Sequence, residues 1–392
     1  MIYNTGQLLS PDLWIVIVTV YLKGRSIMGK KALIAMSGGV DSSVAAKLMQ
    51  EEGYDCIGCN MRLYFNCGED IQAADRAYVN TPKSCCSAED AKDAKKVAEA
   101  MGIPFFIYDL SLEFRRCVID KFTDCYEKGI TPNPCIDCNR YMKFGRLAER
   151  AKNEGCDTIV TGHYARVVRT EEGNYLLKKA LDASKDQSYV LFFLNREQLS
   201  ALRLPLGELT KSRVRELAAK YGFVTADKRE SQDICFVPDG DYAGVIRQYT
   251  GKEYEPGNFV DLSGKVIGTH KGIINYTIGQ RKGLNIAFGK PMYVYGIIPQ
   301  TNEVVLADDR DLYSDTVYVR DFSLINEERR DEIRCSAKIR YRQKEQPATL
   351  IIKGEGNAVI RFDEPQRAVT PGQAAVVYEG DTVLGGGIIT LR

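Results

Sequence analysis

The hydrophobic pattern changes character along the chain, and the change divides it. From residue 31 onward, short apolar runs alternate with stretches whose apolar residues recur every three to four positions. Residues 31–36, 55–61 and 103–108 read as strands, the last as a buried one, and residues 158–160 as a shorter strand. Between them lie helix patterns. Residues 44–49 form one, and Ser87-Ala88-Glu89-Asp90 opens another as a capping box, with Ala91, Ala94, Val97, Ala98 and Met101 at helical spacing and Gly102 to stop it. Residues 139–153 form a third, with Phe144, Leu147, Ala148 and Ala151 on one face and Gly155 beyond the end. Alternating strands and helices predict an α/β fold, a Rossmann-like parallel sheet covered on both faces. Ligands of such sheets collect at the carboxyl ends of the strands, where residues 37–43, Met61 and Gly162 would gather. From about Gly240 the helical period gives way to β-rich runs at 266–268, 292–298, 304–307, 348–353, 358–362 and 374–378, separated by glycine turns. That texture predicts two small antiparallel, barrel-like modules, divided near residues 308–315. The expected domains are an extension over 1–28, a nucleotide-binding α/β domain over 29–238, a central β-rich domain over 239–307 and a C-terminal β-barrel over 308–392.

Composition narrows this picture little. A chain of 392 residues, 44% hydrophobic and 27% charged, is an ordinary soluble globular protein too long for one core. The net charge of +1 is no global nucleic-acid signature, so any RNA-binding surface must be a local patch. Twelve cysteines are too dilute for a disulfide scaffold, and reduced thiols, metal ligands or catalytic sulfur fit better. The apolar run at residues 13–22 is too short to span a bilayer and no small-residue cleavage site follows it. We expect the folded domain to start near Met28, the preceding residues being a disordered extension or a misassigned start, and the protein to be cytoplasmic, without a membrane anchor, and monomeric.

Chemistry concentrates first in Ala35-Met36-Ser37-Gly38-Gly39-Val40-Asp41-Ser42-Ser43, a strand end, a glycine turn and a helix start. Backbone N–H groups at such a turn, with the positive end of the helix, suit a phosphate or pyrophosphate. Ser37, Ser42 and Ser43 add hydroxyls, and Asp41 is placed either to hold a metal ion or to orient the loop. The Gly-Lys-Ser/Thr ending of the Walker pattern is missing, and the stretch resembles instead the pyrophosphate loop of adenine nucleotide α-hydrolases. A second stretch is Thr131-Pro132-Asn133-Pro134-Cys135-Ile136-Asp137-Cys138-Asn139. Two prolines enforce an extended entry, and Cys138 then falls at the start of the Asn139 helix, where the dipole favours thiolate. A zinc site at Cys135 and Cys138 lacks a second close Cys/His pair. Cys56 and Cys59 read as core, Cys85 and Cys86 as packing or loop residues. Cys235, taken alone, fits a buried thiol better than a catalyst. Residues 186–189 fit a polar recognition loop or an ordinary solvated one. In the last domain Lys338, Arg340, Arg342 and Lys344 alternate, which on a strand would make a basic stripe for a phosphate backbone, with Tyr341 for stacking, or else a charged edge.

These pieces, in this order, resemble the tRNA-specific 2-thiouridylases, which sulfurate C2 of the wobble uridine. The resemblance rests on residues 37–43 and 131–138, Thr161-Gly162-His163-Tyr164-Ala165-Arg166, Lys185-Asp186-Gln187-Ser188-Tyr189, Ile234-Cys235-Phe236, residues 276–283 and Arg340-Tyr341-Arg342-Gln343. It covers residues 28–392. It implies a tRNA-uridine 2-sulfurtransferase that uses ATP and Mg²⁺ and takes sulfur from a persulfide donor protein. By that resemblance Ala35, Met36, Ser37, Gly38, Gly39, Val40, Asp41, Ser42, Met61 and Gly162 bind ATP, and Asn133, Pro134 and Cys135 meet the target base. Lys185, Asp186, Gln187, Arg340 and Tyr341 touch tRNA. Cys138 is the nucleophile and Cys235 the persulfide carrier, with a transient disulfide between them in one route. Many members have aspartate where this chain has Cys135, so an acidic role there does not carry over. Cys135, Cys138 and Cys235 could instead ligate a [4Fe–4S] cluster, an alternative mechanism. Two other readings stand beside these: a pyrophosphate-loop ligase using ammonia or an amine, and a non-catalytic RNA-binding module.

Overall fold

The first apolar run becomes β1 (Lys31–Ala35), with Ala32, Leu33 and Ile34 buried on both faces. The structure, a computed structural model, describes residues 30–63, 88–226, 228, 234–237, 240–284, 289–326 and 331–391. The extension over 1–28, Ser87 of the capping box, Cys85 and Cys86 therefore lie outside the described residues. Strands β2 (Asp55–Arg62), β3 (Phe105–Asp109) and β4 (Thr158–Val160) follow, then β5 (Ala165–Arg169), β6 (Tyr175–Lys179) and β7 (Leu202–Arg203). The order β3-β2-β1-β4-β7 makes a sheet whose pairings are all parallel. Helices α1 (Val40–Glu51) and α2 (Ala88–Met101) pack Val44, Ala45, Ala94, Val97 and Ala98 onto it.

Two readings of the sequence need correction here. Among the described residues β3 is an edge strand, and Phe106 and Ile107 are exposed rather than buried. An apolar run alone does not say whether a strand has a neighbour on each side. The helix expected from Asn139 begins earlier, at Pro134–Asp137, and runs through a π-helical stretch, Cys138–Arg146, into Leu147–Asn153. Proline suits the first helical position because no N–H is needed there, and the Asn133 side chain accepts from the Cys135 N–H.

Beyond residue 240, β8 (Gly257–Val260), β9 (Val266–His270), β10 (Tyr293–Ile298) and β11 (Glu303–Ala307) form a sheet of order β10-β11-β8-β9. It is not purely antiparallel, because β8 and β11 pair in parallel, Asn258 opposite Glu303. Long antiparallel strands complete the chain: β12 (Tyr313–Leu324), β13 (Glu332–Lys338), β14 (Gln346–Gly354), β15 (Asn357–Arg367), β16 (Ala374–Glu379) and β17 (Thr382–Thr390). The order β12-β15-β14-β13-β16-β17, with β17 returning to β12, closes a six-stranded barrel filled by Val317, Leu350, Ile360, Val377 and Ile389. The β5–β6 hairpin leaves the α/β domain and pairs with β17, Lys178 opposite Thr382.

The parts are bolted together by apolar clusters that cross between them. One cluster joins Phe114, Phe122 and Tyr126 of the α/β domain to Phe236, Ile246, Phe259, Tyr276 and Leu306. Another joins Ile136, Tyr189 and Phe192 to Ala374, Val376 and Tyr378 of the barrel. Arg340 adds a polar pin: its Nη2 donates to the carbonyls of Ile278 and Ala368 and to Thr370 Oγ1, at 3.2, 3.0 and 2.7 Å. Hydrogen bonds made by a charged group contribute about 1.5–3 kcal/mol each. Arg340→Met should therefore cost about 3 kcal/mol and lower the urea midpoint of the barrel; an unchanged midpoint would mean that water replaces all three bonds.

Candidate active site

Strands 2 and 3 lie on one side of β1 and β4 on the other, so the chain reverses its winding between β1 and β4. At such a reversal, parallel α/β sheets take ligands in the crevice outside the carboxyl ends of the strands. Pairing of Ile34 with Val160 sets their carboxyl ends level. The first connection is Met36–Gly39 and the second is Thr161–Tyr164, which is why residues over a hundred apart in sequence meet. Gly162 packs so closely that a Cβ there would lie 2.9 Å from Ser42 N and 3.0 Å from Asp41 C. Gly38 has φ of +76°, and a Cβ on it would overlap the Asp90 carbonyl oxygen at 2.0 Å. Both positions require glycine, for close approach and, at Gly38, for the left-handed backbone.

The loop is held by its own side chains. Ser42 Oγ accepts from the Ser37 N–H at 3.2 Å and donates to the Gly39 carbonyl at 3.1 Å, and Ser43 Oγ donates to the same carbonyl. Asn60 donates to the Met36 carbonyl from β2, while Ser37 remains exposed. Gly39 caps α1 without a side-chain bond, so no N-cap side chain occupies the first-turn N–H groups at the carboxyl end of β1. Asp41 accepts from Tyr164 Oη at 2.8 Å and from Lys211 Nζ at 2.7 and 2.8 Å. Of the two roles left open for Asp41, this geometry supports orienting the loop. Sequence reasoning missed Lys211 and Lys228. Lys228 donates to the Gly38 carbonyl at 3.1 Å and pairs with Asp90 and Asp93 at 2.5 and 2.9 Å. Burial works against its charge, but the two aspartates outweigh that and raise its pKa. No local pattern marks either lysine; their alignment with the loop is made by chain folding.

The second group of residues gathers beside the crevice. Asn133 caps the helix that carries Cys135 and Cys138. Because that helix starts at Pro134, the Cys138 N–H already bonds to the Pro134 carbonyl, so Cys138 lies one turn inside the helix and not at its start. Cys135 is exposed; Cys138 and Cys235 are half-buried, both packed against the cluster of Phe114, Phe122 and Phe236. Phe236 fixes its neighbour Cys235 by edge-to-face contacts with Phe114 and Phe122, at 5.8 and 5.2 Å between centroids. Cys56 and Cys59 are buried, and burial pushes the Cys56 thiol up to about 11 and the Cys59 thiol higher still. Among the described residues no three His, Cys, Asp or Glu side chains are gathered as metal ligands. Cys135, Cys138 and Cys235 are not gathered as such a group.

The residues expected to face RNA fall into two sets. Tyr341 lies near Asp186 and Cys135, which, after burial, help to raise its pKa, and its ring packs 5.9 Å from that of Tyr189. Asp186 binds the N–H groups of Ala180 and Ser188, Gln187 exchanges bonds with the Tyr164 backbone, and Lys185 is half-buried beside them. The basic stripe is a correction. β13 ends at Lys338 and residues 339–345 form the hairpin turn, so the period of two that would align Arg340, Arg342 and Lys344 is broken. Gln343 sustains that turn by accepting from the Ile339 N–H and donating to Gln366. The Arg340 guanidinium points inward as the pin described above.

His163, next to Gly162, is wholly enclosed. Its Nδ1 lies 2.7 Å from Thr161 Oγ1 and its Nε2 3.4 Å from Lys143 Nζ. Burial, aided by Lys143, depresses its pKa well below the usual 6.5. An unfolded chain takes up a proton near 6.5 and the folded one does not, so the associated stability is present above that pH and lost on acidification. His163→Gln should flatten the acid limb of stability below pH 6.5 by one proton, about 1.4 kcal/mol per pH unit, in urea unfolding at successive pH values; an unchanged slope would refute it. Gly38→Ala and Gly162→Ala should each weaken ATP binding at least about tenfold by equilibrium dialysis, whereas unchanged affinity in both would displace the nucleotide from this crevice.

The family model described as the tRNA methyl transferase HUP domain matches residues 30–239. The models described as its PRC-barrel domain and as the aminomethyltransferase beta-barrel domain match 243–308 and 314–389. A tRNA-specific 2-thiouridylase of Carboxydothermus hydrogenoformans is 48% identical over 365 residues, covering 93% of this chain and 98% of the relative. One from Clostridioides difficile is 47% identical, with 92% and 98% covered. One from Lachnoclostridium phytofermentans is 46% identical, with 92% and 99% covered. This similarity runs through the nucleotide loop, both cysteine segments and the barrel together: the chain belongs to the tRNA-specific 2-thiouridylase family.

Proposed function

We propose that the protein is a tRNA-uridine 2-sulfurtransferase that uses ATP to replace O2 of the wobble uridine with sulfur. The observation that supports this reading is a glycine loop pressed against Gly162 at the strand ends, together with two half-buried cysteines, Cys138 and Cys235, that pack against one apolar cluster. Uridine O2 is a poor leaving group and must first be activated. It attacks the α-phosphorus of ATP, the bond to pyrophosphate breaks with its electron pair, and the uridine N3 proton goes to water. The loop N–H groups and the end of α1 face the phosphate charge that shifts during this step. Mg²⁺, carried in with ATP, supplies further charge neutralisation. Asp41, already bonded to Lys211 and Tyr164, is assigned to holding the loop.

Sulfur arrives as a persulfide on Cys235, from a donor protein. The Cys138 thiolate attacks the Cys235 sulfur, forming a disulfide and releasing hydrosulfide; the sulfane sulfur is reduced as the two thiols are oxidised. Hydrosulfide adds to C2, its proton passes to N3, and AMP departs. A dithiol reductant then restores both thiols. The packing of Cys138 and Cys235 on one apolar cluster supports this relay. The barrel and the exposed Cys135 and Tyr341 support an RNA acceptor, its wobble base turned out of the anticodon stack. Among the described residues no helix is long and apolar enough to cross a membrane.

Incubation with tRNA, ATP, Mg²⁺ and a persulfide donor, followed by mass analysis of nucleosides, should yield 2-thiouridine. Cys138→Ser and Cys235→Ser should each abolish it, a loss of at least about a thousandfold. Product formation retained in both variants would remove sulfur relay from the account, and absence of 2-thiouridine with every tRNA tested would overturn the function.

A further inference from the structure

Lys143 is a cation with an unusual setting. Among the described residues no carboxylate pairs with it. Its partner is the ring of His163, 3.4 Å away, which is held neutral and cannot compensate its charge. The lysine donates to Nε2, which leaves Nδ1–H to donate to Thr161 Oγ1 at 2.7 Å and fixes the ring. His163 in turn follows Gly162, the residue pressed against Ser42 N in the pyrophosphate loop. An ammonium is thus tethered at the carboxyl end of β4, beside the nucleotide crevice.

The helix that carries Lys143 points the same way. Over Cys138–Arg146 the backbone is π-helical, closing each turn from residue i to i+5. Cys138 and Lys143 are five apart, so they stand one turn from each other on the same side. In an α-helix of 3.6 residues per turn they would diverge by about 140°. Lys143 therefore links the side of the helix that carries Cys138, through His163 and Gly162, to the nucleotide loop. Both must serve one base, because O2 is bonded to the α-phosphorus while sulfur approaches C2, the adjacent atom.

We propose that Lys143 is a catalytic residue: its ammonium holds the α-phosphate as uridine O2 displaces pyrophosphate, and the π-helical register sets it on the Cys138 side. This rests on the adenylation step above: the O2–phosphorus bond forms, the bond to pyrophosphate breaks with its electron pair, and the N3 proton goes to water. Negative charge on the non-bridging oxygens then meets a fixed, otherwise uncompensated cation in a partly enclosed site, where it acts most strongly.

The test uses full-length enzyme and reads pyrophosphate release at varied ATP and tRNA. Lys143→Gln keeps a hydrogen-bond donor for His163 but removes the charge. It should lower kcat about 100-fold while leaving KM for both substrates within about threefold. Lys143→Arg should recover at least about tenfold of that loss. Melting midpoints of both variants measured beside wild type separate loss of chemistry from loss of fold. Lys143→Gln with kcat within threefold of wild type would show a merely structural lysine and overturn the proposal. A raised KM for tRNA with unchanged kcat would assign Lys143 to the RNA backbone and overturn it equally. Because pyrophosphate is measured, a failure of the sulfur chemistry would appear in the nucleoside analysis and not in this one.

Discussion

Everything in the candidate site depends on the contact between two strand ends. β1 and β4 lie side by side in parallel, and their outgoing connections press together at Gly162 and Ser42. That contact is possible because Gly162 has no side chain, just as Gly38 lets the loop approach the Asp90 backbone. It brings His163 and Tyr164 into the loop's surroundings. Tyr164 and Lys211 then fix Asp41, and Lys228 fixes Gly38. A phosphate cradle made of backbone has little rigidity of its own; here three side chains from distant segments supply it.

The thiol region is organised by a different force. Cys138 and Cys235 share no secondary-structure element. Both pack against one cluster, in which Phe236 makes edge-to-face contacts with Phe114 and Phe122 and which also forms the core of the central β-sheet. Sulfur chemistry and domain packing therefore draw on the same apolar contacts. The barrel is brought near by the second cluster, around Tyr189, whose hydroxyl donates to the Ala374 carbonyl at 2.8 Å. Gln373 adds bonds to the carbonyls of Thr131 and Pro132, just ahead of Cys135. The surface that would receive RNA is thus registered against the segment that would receive the base.

Much of this was legible in the sequence, for local reasons. The apolar run at 31–36, the glycine turn and the amphipathic helix dictate a strand, a loop and a helix start whatever surrounds them. The short strands after residue 240 carry their own alternation and turn residues. The combination of loop, cysteine segments and hairpin residues is specific enough to mark the family. Other features could not be read locally. Whether the run at 103–108 is buried depends on whether another strand pairs beyond it. The alternating charges near Arg340 make a stripe only if the strand continues, and it ends at Lys338 because the hairpin turns there.

The sequence by itself determined most of the elements, the glycine loop between strand and helix, and the family, because these rest on residue type and short-range spacing. Tertiary structure alone decided how they work as one site. It paired β1 with β4, committed Asp41 to Lys211 and Tyr164, turned Arg340 inward as a pin, and set Lys143 of the π-helical stretch against His163. The physical reason is the same in each case: a side chain's role depends on the partners brought to it by packing, and those partners lie tens to hundreds of residues away.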